Sequence, residues 1–159
     1  MQYLVNATFL INSAKADFNF IEDLKLSTLQ SVLDEVALEI GLDIEIIISI
    51  EKVSQQNKKS IISIPNNKLR QLSPVDRKLL AIAFEGKKNT LLVSDDRQIR
   101  IVAKKNRMRC LTTPKFIAYL VKHSDIDHKD AVEFLMKLRL IYIRPKEIDS
   151  AIKMMEKWK

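Results

Sequence analysis

Residues 90–103 read T-L-L-V-S-D-D-R-Q-I-R-I-V-A. Thr90 to Ser94 opens as a short, apolar run, the pattern of a buried strand. Asp95 and Asp96 follow, and Ile99, Val102 and Ala103 then recur at helical spacing. A buried strand, an acidic turn and an amphipathic helix in direct succession make one unit of a strand–helix alternation. Chains built from such units form parallel sheets with helices on both faces.

The same unit recurs on either side. Gln2 to Val5, Ile44 to Ser49 and Arg109 to Thr112 are three more expected strands. Ser27 or Thr28 can cap a helix that carries Leu29, Val32, Leu33, Val36 and Ile40 on one face and stops at Gly41. Ser73-Pro74-Val75-Asp76 opens another, with proline in the first turn, and Gly86 ends it. A third helix is expected from Asp95 through Ala103, and more over Pro114 to Lys122, Lys129 to Arg139 and Pro145 to Lys157.

The 159 residues suit one domain, and 47% hydrophobic with 30% charged residues is the composition of a folded chain, not a disordered one. Apolar runs such as Ile46-Ile47-Ile48 are far too short to span a bilayer, and no secretory signal opens the chain, so a cytoplasmic protein without a membrane partner is expected. Cys110 is the single cysteine, which excludes an intrachain disulfide and a cysteine zinc cluster. His123 and His128 have no zinc-helix spacing and read as residues at helix ends. Only two glycines, Gly41 and Gly86, are present, so neither a P-loop nor a dinucleotide fingerprint exists. The net charge of +7 favours a polyanionic partner, nucleic acid or an acidic protein.

In an open parallel sheet the ligand crevice lies beyond the carboxyl ends of the strands. That rule directs attention to Asn6, after the first strand, and to Ser94-Asp95-Asp96. Asn6 interrupts the apolar run Y-L-V-N-A-T-F-L at 3–10, where either a turn or a site would explain it. Taken alone, the Asp95–Asp96 pair reads first as part of a helix start capped by Ser94 or Asp95, with a metal-binding edge as the sharper alternative. Asp76 lies three residues after Ser73, as in a capping box, yet it also leads the inward stripe of Leu79, Leu80 and Ala83. Glu35 sits on the flank of an apolar helix face beside Val36.

Taken in order, these residues resemble the PIN-domain family of metal-dependent ribonucleases, over roughly residues 1–125. The family's first strand ends in Asp, a small residue and Ser or Thr; here the triplet is Asn6-Ala7-Thr8. Its Val-x-x-Glu matches Val32 to Glu35, and its Leu-Ser-x-x-Asp matches Leu72 to Asp76. Its hydroxyl–acid–Asp–basic run after a later strand matches Ser94-Asp95-Asp96-Arg97. The resemblance implies an α/β/α sandwich of three layers with a central parallel sheet, over a core of residues 1–125 and a helical extension of the same domain over 126–159, as in some archaeal PIN proteins.

The activity implied is endonucleolytic cleavage of RNA with Mg²⁺ or Mn²⁺, in rRNA processing or as a toxin-type nuclease. The implied catalytic positions are Asn6, Glu35, Asp76 and Asp96, with metal ligands among Glu35, Asp76, Asp95 and Asp96. Thr8 and Ser94 would supply hydroxyls that orient the acids. Clustered carboxylates suit the task because both ions are hard and prefer oxygen ligands. Asn6 is the departure: it keeps the shape of Asp but not its charge, which weakens a cation site and with it cleavage. A degenerate PIN-like RNA-binding or scaffold domain is therefore the alternative. A receiver-like signalling domain is a weaker one, since the Leu-Ser-x-x-Asp helix is foreign to it.

Arg97, Arg100 and Lys104 lie at i, i+3 and i+7 opposite the apolar face of their helix, and Lys105, Arg107 and Arg109 follow. This ridge is either an RNA-backbone contact or an ordinary solvated face. Aromatic residues make up 6%, too few for a base-stacking platform. An antitoxin or a ribosome-assembly factor is a possible protein partner. Ile148, Ile152 and Met155, with Met154 and Trp158 nearby, read as core packing of the last helix or as a homodimer surface.

Overall fold

A computed structural model describes residues 1–18, 24–40, 51–52, 72–142 and 144–158. Among these, five strands form one sheet in the order β3-β2-β1-β4-β5, and every pairing is parallel. The strands are β1 (Gln2–Val5), β2 (Leu26–Thr28), β3 (Glu51–Lys52), β4 (Thr90–Val93) and β5 (Cys110–Leu111). Seven described helices complete an α/β/α arrangement. They are α1 (Ala7–Lys15), α2 (Gln30–Ile40), α3 (Pro74–Glu85), α4 (Arg97–Lys105), α5 (Thr113–Lys122), α6 (His128–Leu138) and α7 (Pro145–Glu156). No described helix is long and apolar enough to cross a membrane.

Tyr3 pairs with Leu91 and Leu26, so β1 lies between β4 and β2. From β1 the chain moves outward to β2 and β3, then returns to add β4 and β5 on the opposite flank. The direction of winding therefore reverses between β1 and β4, and their carboxyl ends open the crevice where such sheets bind ligands. All four residues of β4 are buried, as expected of a strand covered on both faces.

Two elements depart from the sequence expectation. Phe9, Leu10 and Ile11 continue the apolar run of β1, yet they belong to α1, which Asn6 caps. Ser27 and Thr28 do not cap a helix; they lie in β2, and the Thr28 hydroxyl donates to the Val5 carbonyl at 2.7 Å. Leu26-Ser27-Thr28 is too short and too rich in hydroxyls to announce a strand by alternation. The expected strand over 44–49 lies outside the described residues. The helix expected from Asp95 begins two residues later, at Arg97, with Asp96 as its cap.

Edge-to-face aromatic contacts join the layers. Phe116 of α5 meets Tyr3 of β1 at 5.2 Å and Phe9 of α1 at 5.6 Å between ring centroids. Phe9 also meets Phe18 edge-to-face at 6.5 Å, and Phe18 meets Phe134 of α6 in a tilted contact at 4.4 Å. The extension is thereby packed on the core: Leu135, Leu138, Ile148 and Met155 are fully buried, whereas Met154 and Trp158 remain exposed.

Three helices end in the same way without glycine. Asp17, Arg107 and Ser124 hold positive φ of 58°, 55° and 60°. Each follows a helix cap, and the next amide bonds back to a carbonyl five residues earlier: Phe18 to Ser13, Met108 to Ala103, Asp125 to Leu120. This is the Schellman ending, whose left-handed residue is usually glycine. Gly86 is needed for another reason: at the end of α3 an added Cβ would collide with the Thr90 side chain.

Candidate functional site

The crevice begins at Asn6, which is 3% exposed. Its Oδ1 accepts hydrogen bonds from the Thr8 hydroxyl at 2.7 Å and the Phe9 amide at 3.3 Å. Its Nδ2 donates to the Ser94 hydroxyl at 2.8 Å. Both ends of the amide are engaged, one in capping α1 and the other in joining β1 to β4. A carboxylate would accept the first two bonds and could not, when ionised, make the third. The turn and the site are therefore the same feature: Asn6 starts a helix at the sheet edge where the resemblance places an acid.

Ser94 passes the connection on, since its hydroxyl also accepts from the Asp96 amide at 3.1 Å. Asp96 caps α4 through Oδ1, which takes the amides of Gln98 at 2.6 Å and Ile99 at 3.0 Å. Thr8 accepts from the Asp95 amide at 3.2 Å. The two hydroxyls expected to orient the acids do so through backbone amides, not through the carboxylates themselves.

Asp95 has a different place from the one the resemblance gives it. Its carboxylate turns towards α1, α5 and the extension and accepts four hydrogen bonds. Oδ1 takes the Thr113 amide at 2.9 Å and the Tyr142 hydroxyl at 2.6 Å. Oδ2 takes the Asn12 amide at 2.9 Å and the Thr113 hydroxyl. Arg144 donates to the Asp95 carbonyl at 2.9 Å and to the Tyr142 hydroxyl at 3.3 Å. Burial raises the Tyr142 phenol well above its ordinary value, and the Asp95 charge and hydrogen bond add to the shift. The phenol therefore stays a donor throughout the physiological range. Asn12, Thr113, Tyr142 and Arg144 were not marked by any motif, because their partner is distant in sequence. The sole signal was Asp95 itself, a second acid where one would suffice for capping.

Asp76 is half-buried at the start of α3. The Ser73 hydroxyl accepts from its amide at 3.1 Å and donates to its Oδ2 at 2.8 Å, a capping arrangement. Glu35 is exposed on α2, yet its pKa is raised, first by partial desolvation and then by the charges of Asp76 and Glu39. Glu35 and Asp76 thus share one electrostatic field.

A hard divalent ion needs several oxygens with free lone pairs converging on one point. The described residues do not fit that demand. Asn6 lacks charge, the Asp95 oxygens are taken by four donors, and no three His, Cys, Asp or Glu side chains among the described residues form a group that could hold a metal.

Beside the crevice, α4 turns Ile99, Val102 and Ala103 inwards, while Arg97, Lys104 and Lys105 are exposed and Arg100 is half-buried. The ridge of basic residues therefore forms, next to the carboxyl end of β4. Cys110 of β5 is chemically quiet: burial pushes its thiol up to about 12, against the pull of Arg100 and with the help of Asp95. No protein-family model, curated protein or solved structure matches the chain.

Proposed function

We propose that the chain is a PIN-like RNA-binding domain in which metal-dependent cleavage is weak or lost. The observation that carries this reading is the Asn6 amide, held between Thr8 and Ser94 where a PIN ribonuclease keeps its first carboxylate. The net charge of +7 and the α4 ridge of Arg97, Arg100, Lys104 and Lys105 supply the attraction for a polyanion. On this reading the ridge holds backbone phosphates, and the crevice at Asn6, Ser94 and Asp96 lies beside the bound strand. Sequence preference is weak, because phosphate contacts position a strand without reading its bases.

Retained cleavage is the second reading. It is favoured by Glu35, whose carboxyl is held above its ordinary value first by desolvation and then by the charge of Asp76. A cleavage assay with Mn²⁺ on single-stranded and structured RNA, run on the parent chain and on Asn6→Asp, separates the two. Binding without cutting by the parent supports the proposal. Cutting by the parent that Asp76→Ala abolishes would establish the enzyme instead.

A further inference from the structure

Along β5 lies an open cavity of about 390 Å³, in whose lining the apolar Met108 accompanies polar and cationic side chains. Arg100, Lys104, Arg107, Cys110, Thr112 and Lys115 line it. None of its four cationic side chains forms an ion pair among the described residues. Converging like charges are unfavourable, and although the charge of Asp95 reaches the lining at Cys110, that carboxylate is engaged elsewhere, so the cost falls when an anion enters.

Two further observations point to a ligand. Thr112 is 2% exposed, stands at the N-cap of α5, and its hydroxyl has no hydrogen-bond partner among the described residues. A capping hydroxyl ordinarily accepts the second or third helical amide, and here Pro114 removes one of those donors. A buried hydroxyl without a partner costs free energy, unless something else bonds to it. In addition, Arg107 occupies the left-handed position after α4, where glycine would be easier, and its side chain lines the cavity. The α5 terminus adds the positive end of its dipole.

We propose that this cavity binds a phosphate monoester. A terminal phosphate carries roughly −1.5 to −2 at neutral pH, more than the single charge of an internal phosphodiester, and so matches the cluster of cations better. The inference extends the RNA reading, from which it takes only the carrier: the end of an RNA strand that lies along the α4 ridge. A free phosphate compound offers the same chemistry, so the test includes one.

Binding of a labelled single-stranded RNA is measured in three forms: with a 5′-phosphate, with a 3′-phosphate and with hydroxyls at both ends. Inorganic phosphate and a nucleoside 5′-monophosphate are titrated separately. One of the phosphorylated RNAs is expected to bind about tenfold more tightly than the hydroxyl form, the value of one or two charge-assisted hydrogen bonds. Arg107→Gly removes a cation while easing the backbone, so it folds at least as well as the parent. In that variant the tenfold preference, taken relative to the variant's own hydroxyl-RNA binding, should shrink to about threefold or less. Lys115→Gln should act in the same direction. Equal binding of all three RNAs overturns the cavity assignment and leaves the RNA reading standing. Arg107-dependent binding of the monophosphate or of inorganic phosphate, with no RNA bound, upholds the cavity and overturns the RNA reading. Binding of none of these probes overturns both.

Discussion

The side-chain amide of Asn6 donates to the Ser94 hydroxyl at 2.8 Å, across 88 residues of sequence, and ties the carboxyl end of β1 to that of β4. The bond sits where the winding of the described strands reverses. The amide that replaces the acid of the pattern the sequence resembles is thus a structural contact.

Asn6→Asp should therefore destabilise the fold at neutral pH, by about 1–3 kcal/mol, through a buried charge and a lost donor. Burial raises the folded-state pKa of the new acid, so the loss grows as pH climbs through the ordinary Asp value of about 3.9 and shrinks below it, where the protonated acid can donate to Ser94 again. Thermal melts across that range check the sign. Added Mn²⁺ should raise the melting temperature of Asn6→Asp more than that of the parent if the crevice regains affinity for the ion.

Tyr142→Phe removes one of the four donors to Asp95 and is expected to cost about 1–3 kcal/mol in urea unfolding. A double-mutant cycle with Asp95→Asn should show coupling of about 0.5–3 kcal/mol, because the two side chains share one network. Additive losses would mean that the phenol stabilises the extension by packing alone.

Ser124→Gly should stabilise the protein by about 1 kcal/mol, by relieving a left-handed residue at the end of α5. Asp17→Gly should do likewise at α1, and the two gains should add, since the sites belong to different helix ends. Chemical denaturation midpoints provide the measurement.

Glu35→Gln should raise stability at neutral pH. The Glu35 carboxyl is held above its ordinary value, chiefly by desolvation and further by Asp76 and Glu39. Its charge thus weakens the fold once pH exceeds the ordinary Glu value of about 4.3. Melts of the two proteins should converge below that pH and separate above it. A constant difference would point to packing instead of charge.

If the proposed RNA-binding role holds, Arg97→Ala should lower RNA affinity evenly across sequences and reduce the slope of log K against log salt by about 0.7 for a single strand. An unchanged slope would remove Arg97 from the contact surface.

The sheet was legible wherever a buried run stood apart from its neighbours. Thr90 to Val93 announced β4 because apolar residues fill it and an acidic turn ends it. The α1 helix was not, because Phe9, Leu10 and Ile11 prolong the apolar run of β1 and only Asn6 separates the two. Leu26 to Thr28 hid for the opposite reason: two hydroxyl residues in a row look like a cap until a neighbouring strand takes them up. At the site, the capping role of Ser73 at α3 could be read locally, whereas α4 is capped by Asp96 and not by the Ser94 or Asp95 that the sequence offered. The direction of the Asp95 carboxylate could not, since Thr113 and Tyr142 lie 18 and 47 residues away. Spacing along one helix shows which residues share a face, but not what a later segment will bring to that face.

The bonds at Asp95 also set an order of events. Synthesis runs from the N-terminus, and Tyr142 and Arg144 emerge well after the strand whose end they complete. A nascent chain that has released the sheet strands and α5 still carries a carboxylate short of one donor and a backbone carbonyl short of another. The crevice thus reaches its final form only when the α6–α7 extension has docked. The extension behaves as the closing step of the fold, and a ribosome-bound intermediate ending before Tyr142 should present a looser ligand edge than the released protein.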